Sequence, residues 1–276
     1  MESLNERFEK GQNMRSLMAQ GDPSHYTLPG IDQLAPDLKR IINEALFGQI
    51  WARPGLDPKH RCMVTIAGLT AQGQLPRLRR HIERGLKLGL TPKQVVEVFV
   101  QLTFYVGVPA VEAAMRTTKD IFEERGIEFT PTEVYDSTLS VDQLNEIGKK
   151  SFEENIGDST LYPVEDNDSI EGELGRLIDE YLWGAIYTRP DLDPQSRAIC
   201  ALSAMTVMGQ YDRQIRRRIE GALRVGVTPK EIMELFFHLI LYGGYINSRT
   251  AIRVARSVFT EQGLSEIGRA SCRERV

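Results

Sequence analysis

The stretch LRRHIERGLKLGLTPKQVVEVF, from Leu78 to Phe99, occurs a second time in this chain as IRRRIEGALRVGVTPKEIMELF, from Ile215 to Phe236. About half of the letters are identical, and the two copies are 137 residues apart. A repeat at a fixed distance indicates that one structural unit has been duplicated. One exchanged letter bears directly on chemistry, because Arg218 occupies the place of His81.

The duplication extends in both directions from this stretch. The sequence FGQIWARPGLDPKHR, from Phe47 to Arg61, is matched 136 residues later by WGAIYTRPDLDPQSR, from Trp183 to Arg197. The sequence LNERFEKG near the start has a fainter counterpart in LNEIGKKS from Leu144. Between the copies, residues 127–140 contain turn-forming residues and no sustained period, which predicts a linker. We therefore expect two domains, at residues 1–130 and 131–265.

The last residues of the chain, EIGRASCRERV, resemble nothing before them. They match the in-frame translation of a common sequencing-adapter oligonucleotide, so we interpret residues 266–276 as an artefact of that origin. Cys272 is then not native, which leaves Cys62 and Cys200. Both lie in apolar helical patterns without a CxxC partner, which favours buried thiols in a reducing compartment over metal ligands or redox centres.

Composition argues against two other classes of protein. A formal net charge of −4 over 276 residues does not provide the concentrated basic face that nucleic acid requires. The start MESLNERFEK is charged, and the chain has no run of about 18 uncharged apolar residues, so neither secretion nor membrane insertion is predicted. We expect a cytoplasmic protein that binds neither nucleic acid nor membrane.

Each copy carries the sequence signals of several helices. The sequences TPKQ and TPKE predict capping boxes, in which Thr91 with Gln94 and Thr228 with Glu231 begin a helix. The helices that follow, VVEVFVQLTFYVG and IMELFFHLILYGG, are apolar on almost every side, which is typical of a buried central helix. No segment alternates with a period of two, so the predicted fold class is all-α, with two similar helical bundles.

A glutamate interrupts each of these apolar helices, Glu97 in the first copy and Glu234 in the second. A buried carboxylate needs a hydrogen-bonding partner or a raised pKa, because burial of an isolated charge is costly. One interpretation is purely structural, with each glutamate paired to an arginine of the preceding helix, LRRHIER or IRRRIEG.

Other polar side chains recur near the glutamates. His238 lies one helical turn after the second glutamate, whereas the first copy has Gln101 at that position. Tyr105 and Tyr242 lie two turns after the glutamates and need hydrogen-bond partners if they are buried. His81 belongs to the preceding helix, where it could simply be a hydrogen-bonded histidine between helices.

These residues together resemble a known family. The runs FGQIWARPGLDPKHR and RRHIERGLKLGLTPKQVVEVFVQLTFYVGVPAVEAAMRTTKDIF are similar to the carboxymuconolactone decarboxylase family, which has the AhpD-like helical fold. The resemblance covers residues 4–126 and, more loosely, residues 144–263. It implies two tandem AhpD-like helical domains. Single-length members form rings of six chains, so a fused pair is expected to form a homo-oligomer, a homotrimer that resembles a hexamer.

The decarboxylase branch of the family implies a lyase for a small carboxylated lactone such as 4-carboxymuconolactone. Such an enzyme removes CO2 and leaves an enol-lactone in the breakdown of aromatic compounds, and the resemblance implies neither a metal nor an organic cofactor. Loss of CO2 leaves a dienolate. The site therefore needs cationic donors for the dienolate oxygen and the remaining carboxylate, and an acid that protonates carbon.

The resemblance and these chemical demands suggest roles for particular residues. His81 is expected to be the acid, Glu97 to orient it or shift its pKa, and Tyr105 to donate a hydrogen bond to the lactone. We expect His81 and Glu97 to meet beside a cavity that holds the substrate. Arginine can bind a carboxylate with two hydrogen bonds, and the expected substrate-binding residues are Arg53, Arg61, Arg218, Glu234 and His238.

The second copy departs from the pattern of the family. Arg218 can hold a carboxylate but cannot exchange a proton at neutral pH. Ile246 also replaces Pro109 of the first copy. The first copy is therefore expected to carry the chemistry and the second to complete the assembly, unless His238 takes the role of the missing histidine.

Two other functions remain open at this point. AhpD-like peroxidases use a CxxC pair, in which one thiol attacks and the other resolves, and the absence of CxxC from this chain disfavours that activity. A non-catalytic oligomer that binds a small acid would use the same arginines and glutamates.

Overall fold

The computed structural model describes residues 2–19, 30–157, 169–209 and 212–265, and within these ranges the regular secondary structure is entirely helical. The all-α prediction is confirmed. None of the helices described combines the length and the apolar character that a bilayer crossing requires. Residues 266–276, interpreted above as an artefact, lie outside the described ranges.

The described part of the first copy is built from helices that follow one another with short connections. They are α1 (Leu4–Ala19), α2 (Ile31–Leu34), α3 (Pro36–Ile42), α4 (Pro58–Ala71), α5 (Leu75–Lys87), α6 (Pro92–Val106) and α7 (Val108–Glu124). A π-helix, Asn43–Trp51, continues directly from α3. Residues 127–140 contain no helix, in agreement with the predicted linker.

The second copy repeats this order. Its helices are α8 (Val141–Asn155), α9 (Ile170–Leu177), α10 (Pro194–Met208), α11 (Asp212–Arg224), α12 (Pro229–His238) and α13 (Tyr245–Glu261). A second π-helix, Ile178–Ile186, continues from α9, and a short 3₁₀ helix, Leu239–Leu241, continues from α12. The tandem duplication read from the sequence is therefore also a duplication of the helical order.

Both capping boxes form as predicted. The Thr91 hydroxyl accepts from the backbone N–H of Gln94 at 3.1 Å, and the Gln94 side chain accepts from the backbone N–H of Thr91 at 3.0 Å. Thr228 and Glu231 make the equivalent bonds at 3.2 and 2.9 Å. These reciprocal bonds satisfy N–H groups that a helix start leaves without partners, which fixes where the two central helices begin.

The two central helices end differently. Helix α6 runs to Val106, whereas α12 ends at His238 and tightens into the 3₁₀ helix. Gly243 follows this turn, and a Cβ added there would lie 2.6 Å from a side-chain carbon of Val207 in α10. The tighter end therefore brings the backbone of the second copy close against α10.

Glycines also set the packing of the first helix of each copy. A Cβ added at Gly48 would lie 2.5 Å from the backbone oxygen of Arg7, and one at Gly184 would lie 2.7 Å from that of Leu144. A side chain at either position would collide with backbone. Helices α1 and α8 therefore pack closely on the π-helix of their own copy.

The two copies share their hydrophobic interior. Helices α4 and α10 pack against each other, and α10 also packs against α6. The core around α6 includes Leu192 and Cys200 of the second copy, and the core around α12 includes Leu56 and Val64 of the first. Side chains of both copies consequently meet along this boundary, where the candidate residues lie.

Candidate active site

Glu97 of α6 is bound by two arginines of the second copy. The Nε atom of Arg189 lies 2.8 Å from one carboxylate oxygen of Glu97, and Nη2 of Arg197 lies 3.3 Å from the other. Arg197 also donates to the side-chain oxygen of Gln101 at 2.9 Å. Glu97 and Arg197 are 2% and 1% exposed, so this is a buried ion pair with its hydrogen bonds satisfied on both sides.

Glu234 of α12 is bound in the same way by two arginines of the first copy. Nε of Arg53 and Nη2 of Arg61 each lie 2.8 Å from a carboxylate oxygen of Glu234. Burial favours a raised pKa for Glu234, but hydrogen bonds from Arg53 and Arg61 outweigh it and lower the pKa. A Cβ at Gly55 would lie 2.7 Å from Cγ of Glu234, so the RPGLDP turn can approach the carboxylate because this residue is glycine.

This crossed arrangement corrects several sequence-based expectations. Glu97 does not contact His81, and neither glutamate pairs with an arginine of α5 or α11. The reason is the packing of α4 on α10, which brings the arginines of one copy to the central helix of the other. Arg53 and Arg61, expected to bind substrate, are instead engaged by Glu234, and Arg61 is 1% exposed.

His81 lies in a group of side chains that both copies supply. We call Trp51, Thr65, His81, His238 and Tyr242 the imidazole cluster. The His81 ring stacks at 5.9 Å from that of Trp51 and meets the Tyr242 ring edge-on at 5.7 Å, measured between centroids. Nε1 of Trp51 donates to the Tyr242 hydroxyl at 2.9 Å. The second copy thus contributes to this cluster and does more than complete the assembly.

His238 is held in one tautomer within this cluster. Its Nδ1 lies 3.4 Å from Nη1 of Arg61, which can only donate, and its Nε2 lies 2.8 Å from the Thr65 hydroxyl. Nε2 therefore carries the proton and donates a hydrogen bond to the Thr65 hydroxyl. Burial, and then the charge of Arg61, lower the pKa of His238 well below 6.5. Because His238 lies beside His81, it does not replace the histidine missing at Arg218.

His81 is surrounded by positive charge. Nη1 of Arg84 lies 3.5 Å from Nδ1 of His81, and Arg77 and Arg80 also act on it; we call these three arginines of α5 the cationic rim. Burial first, and then these arginines together with His238, lower the pKa of His81 well below 6.5. His81 is therefore neutral at physiological pH, with its proton on Nε2. In this state it accepts protons, and it becomes an acid only when a nearby anion raises its pKa.

Tyr105 lies in a second group of side chains, away from His81. We call Tyr105, Trp183, Tyr187 and Arg218 the arginine cluster. The guanidinium carbon of Arg218 lies 4.7 Å from the centroid of the Trp183 ring and 5.2 Å from that of Tyr105. The hydroxyls of Tyr105 and Tyr187 are 2.9 Å apart, and Arg218 donates to Tyr187 at 3.4 Å. The expected role of Tyr105 beside His81 is thus not supported by its position.

The two clusters occupy equivalent places in the duplicated fold. Four of the five residues of the imidazole cluster have a polar or aromatic counterpart at the repeat distance: Tyr187 for Trp51, Arg218 for His81, Gln101 for His238, and Tyr105 for Tyr242. The fifth, Thr65, corresponds to Ala201. Both imidazoles are therefore replaced by groups that do not exchange protons at neutral pH.

Comparison with known proteins gives this architecture a family. A model of the carboxymuconolactone decarboxylase family matches residues 36–120 and 172–257, which is more than half of the chain and one match in each copy. The chain belongs to the carboxymuconolactone decarboxylase family. The tandem duplication and the family inferred from the sequence are both confirmed.

Several curated relatives of this family member are similar over part of the chain. The 4-carboxymuconolactone decarboxylase of Acinetobacter baylyi is 30% identical over 122 residues, which cover 44% of this chain and 91% of the relative. The nitrosuccinic acid decarboxylase npaB of Metarhizium robertsii is 31% identical over 84 residues, 30% of this chain and 59% of the relative. An uncharacterized 15.0 kDa protein of Paracoccus denitrificans is 30% identical over 102 residues, 36% and 76% of the two chains.

The thiols of this decarboxylase-family chain are poor candidates for redox chemistry. Burial raises the pKa of Cys62 and of Cys200 to about 12, so neither forms a thiolate at physiological pH. Both are free cysteines in the core. Within the described ranges, no three His, Cys, Asp or Glu side chains come together in a way that could hold a metal ion.

Two cavities of the described residues lie away from His81 and Glu97. One of about 690 Å³ opens on the second copy between the end of α8 and helix α11, with Ile156, Arg217 and Glu220 in its wall. Another, of about 550 Å³, lies against α1. His81 and Glu97 line neither of these two cavities, so neither is the cavity expected between those side chains.

Sequence reasoning missed part of the imidazole cluster. The cationic rim had a signal, since Arg77, Arg80 and Arg84 are spaced to share one helical face with His81. Trp51 carried no comparable sequence signal, because its hydrogen bond with Tyr242 joins residues 191 positions apart and depends on how the two copies pack.

Proposed function

We propose that the imidazole cluster and its cationic rim form the active site of a decarboxylase for small dicarboxylic acids. The observation that carries this proposal is the convergence of His81, Tyr242 and the three arginines of the rim at the boundary between the copies. Membership of the family and two relatives named as decarboxylases support the reaction class. The substrate we propose is a carboxylated lactone such as 4-carboxymuconolactone, in the breakdown of aromatic compounds.

The rim supplies the positive charge that a dianion needs. Arginine binds a carboxylate through two parallel hydrogen bonds, and Arg77, Arg80 and Arg84 lie close enough to His81 to depress its pKa. Arg53 and Arg61 are already engaged by Glu234. The rim therefore takes over the carboxylate binding that the sequence assigned to those two residues.

Tyr242 is suited to stabilise the charge that develops when CO2 leaves. The bond from the ring carbon to the departing carboxylate breaks, and its electron pair moves through the ring double bond into the lactone carbonyl, which gives a dienolate. Tyr242 accepts a hydrogen bond from Trp51 and also interacts with the Thr65 hydroxyl, so a bound substrate would compete with Thr65 for the hydroxyl hydrogen of Tyr242. Burial raises the pKa of Tyr242, which keeps it protonated as a donor to the dienolate oxygen.

His81 then returns a proton to carbon. A bound dianion offsets the charge of the rim and raises the pKa of His81, so that the imidazole takes up a proton as substrate binds. The imidazolium donates this proton to the dienolate carbon and becomes neutral again. Because the lactone itself accepts the electron pair, the reaction needs no metal or organic cofactor.

The direct test compares His81→Gln with Arg218→Gln, which are changes at equivalent positions of the two copies. Each protein is incubated with 4-carboxymuconolactone, and CO2 release and loss of ultraviolet absorbance are measured. Wild type should release CO2, His81→Gln should lower kcat at least about a hundredfold, and Arg218→Gln should retain most activity. Circular dichroism checks that both variants keep their helices.

The outcomes separate the possible functions. If Arg218→Gln loses activity while His81→Gln keeps it, the active site has been assigned to the wrong cluster. Nitrosuccinic acid is the comparison substrate, because its nitro group can accept the electron pair in place of the lactone. If wild type releases CO2 from neither acid, the decarboxylase proposal is wrong and a non-catalytic acid-binding protein is favoured.

We also propose that the chain forms a homotrimer in the cytoplasm. Apolar side chains are exposed along one face near the start of each copy and recur at the repeat distance: Leu34, Leu38 and Ile41 in the first copy, and Ile170, Leu174 and Leu177 in the second. Exposed apolar stripes of this kind mark association surfaces. Two buried free thiols are typical of a reducing compartment.

A further inference from the structure

We infer that Thr65 is a positioning residue of the proposed active site, whose hydroxyl turns toward Tyr242 when substrate binds and strengthens Tyr242 as a hydrogen-bond donor. The inference rests on the proposed function, because it adds a partner for Tyr242 to that reaction. Thr65 lies on α4 of the first copy, and Tyr242 follows the 3₁₀ helix of the second.

A series of buried hydrogen bonds connects Thr65 with the ion pair of Glu234. Nη2 of Arg61 lies 2.8 Å from the carboxylate of Glu234, and Nη1 of Arg61 lies 3.4 Å from Nδ1 of His238. Nε2 of His238 then donates to the Thr65 hydroxyl at 2.8 Å. Arg61, Thr65 and His238 are at most 1% exposed, so water does not compete for these bonds. The oxygen of Thr65 is therefore held in place from the side of His238.

The hydrogen of the Thr65 hydroxyl has two acceptors within reach. One is the backbone oxygen of Arg61, one turn earlier on α4, at 2.9 Å. That oxygen also accepts the regular backbone bond of the helix, so it can lose the hydroxyl without being left unpaired. The other is the Tyr242 hydroxyl, with which the Thr65 hydroxyl also interacts. Rotation about one side-chain bond therefore moves the hydrogen from Arg61 to Tyr242 at little cost.

Substrate decides which of the two bonds Thr65 makes. Without substrate, Tyr242 donates to Thr65, and Thr65 donates to the backbone oxygen of Arg61. A dienolate oxygen beside Tyr242 accepts the hydrogen bond of Tyr242 instead. The Tyr242 oxygen can then accept from Thr65 as well as from Nε1 of Trp51, which lies 2.9 Å away. Two donors to the phenol oxygen make the phenol a stronger donor, because they stabilise the negative charge that it acquires.

The arginine cluster lacks this arrangement. At the repeat position of Thr65 it has Ala201, which carries no hydroxyl. The amide nitrogen of Gln101, the counterpart of His238, is buried and has no hydrogen-bond partner among the described residues. The hydroxyl that joins the central helix to the tyrosine is thus present in one cluster and absent from the other.

The link between Thr65 and Tyr242 is tested without substrate. The protein is labelled with 3-fluorotyrosine, whose fluorine lowers the phenol pKa and brings its titration into a milder pH range. The fluorine NMR signal of Tyr242 is assigned from its loss in Tyr242→Phe. Burial raises the pKa of Tyr242, whereas hydrogen bonds from Trp51 and Thr65 lower it. Thr65→Val should therefore raise this pKa above its wild-type value, and Thr65→Ser should restore it.

Thr70→Val is the matched control for this titration. Thr70 is also buried on α4, but its hydroxyl bonds within the helix, to the backbone oxygen of Ile66 at 2.8 Å. The control should leave the pKa of Tyr242 unchanged. An equal pKa of Tyr242 in wild type and Thr65→Val, or an equal rise in Thr70→Val, would overturn the inference.

A second variant covers the case in which Thr65→Val does not fold. Thr65→Ala combined with His238→Gln reproduces the pair Ala201 and Gln101, with which the second copy folds. This double variant should also raise the pKa of Tyr242, and an unchanged pKa would count against the role of Thr65 in the same way.

Turnover separates this inference from the proposed function. With 4-carboxymuconolactone, Thr65→Val should lower kcat at least about tenfold and leave KM within about twofold, because the second donor acts on charge that develops as CO2 leaves. Thr65→Ser should recover most of the lost kcat. An active wild type with full kcat in Thr65→Val would refute the role of Thr65 and leave the proposed function standing. If wild type releases no CO2, the proposed function fails, and the titration of Tyr242 alone decides whether Thr65 supports this phenol.

Discussion

The two buried histidines beside Trp51 carry their protons on the same ring nitrogen but differ in the hydrogen bonds that this nitrogen makes. His81 and His238 each turn Nδ1 toward an arginine N–H, so each keeps its proton on Nε2 and is neutral. Nε2 of His238 donates a hydrogen bond to the Thr65 hydroxyl. Nε2 of His81 has no hydrogen-bond partner among the described residues. His238 is therefore held by its own hydrogen bonds, and in the proposed function His81 is the imidazole whose Nε2 is left for the substrate.

The neutral state of these histidines predicts a dependence of stability on pH. Their pKa values are lowered in the folded protein from an ordinary value of 6.5. Below about pH 6.5 the unfolded chain therefore binds more protons than the folded one, and acid favours unfolding. Each histidine contributes a slope of about 1.4 kcal/mol per pH unit until its folded pKa is reached.

This prediction is measured by urea denaturation at a series of pH values from about 7.5 down to about 5.5. The free energy of unfolding of wild type should fall as the pH decreases through this window. His238→Gln should reduce the slope by the contribution of about one proton. An identical slope in wild type and variant would show that His238 is not held neutral.

At the scale of helices, the crossed ion pairs join the two copies. Glu97 on α6 and Glu234 on α12 are each bound by an arginine from a turn and an arginine from the helix after it, both from the opposite copy. A buried pair is weak evidence of net stabilisation, but removing one partner leaves a buried charge without compensation. These pairs therefore specify how α6 and α12 are placed relative to α10 and α4.

Removal of one of these carboxylates should have a large effect on stability. Glu97→Gln leaves Arg189 and Arg197 without a counter-charge, and we predict a loss of about 3–5 kcal/mol in the free energy of unfolding. Glu112→Gln is the matched control, because Glu112 pairs with Arg116 on the surface of α7, and it should change little. Equal losses in the two variants, measured by denaturant unfolding, would contradict the structural role of the buried pair.

Local signals predicted the helices well and the site only in part. The starts of α6 and α12 were predictable because Thr91 and Thr228 form capping boxes with neighbours three residues away. The partners of Glu97 could not be predicted in this way, since Arg189 is 92 residues distant and reaches it only because α4 packs on α10. His81 was identified from its place in the repeat, whereas two of its neighbours, His238 and Tyr242, come from the opposite copy and could not be predicted from local sequence.

For the whole molecule, the duplication has produced two clusters at equivalent positions with different side chains. The copies are identical at about half of the positions in the stretch compared first, and they pack against each other along α4 and α10. The first copy has His81, whose imidazole can exchange a proton near neutral pH, where the second has Arg218, whose guanidinium stays charged. The same exposed apolar residues recur in both copies, which suits assembly into a closed ring.

Assembly is tested by changing these exposed residues. Wild type should have three times the chain mass of 31.2 kDa by light scattering, and Leu38→Lys combined with Leu174→Lys should have the mass of one chain, because the charges oppose burial of the stripe. Leu17→Lys, a change at another exposed leucine on α1, should remain trimeric. A single-chain mass for wild type, or an unchanged mass for the double variant, would refute the proposed interface.

One pair of variants asks most directly whether the chemistry takes place in a cluster built from both copies. Tyr242→Phe and Tyr105→Phe make the same chemical change at equivalent positions, and kcat for 4-carboxymuconolactone is measured for each. We predict that Tyr242→Phe lowers kcat by about tenfold or more, because the dienolate loses a donor, while Tyr105→Phe stays close to wild type. A large loss in Tyr105→Phe with normal kcat in Tyr242→Phe would contradict the assignment of the active site to the cluster around His81.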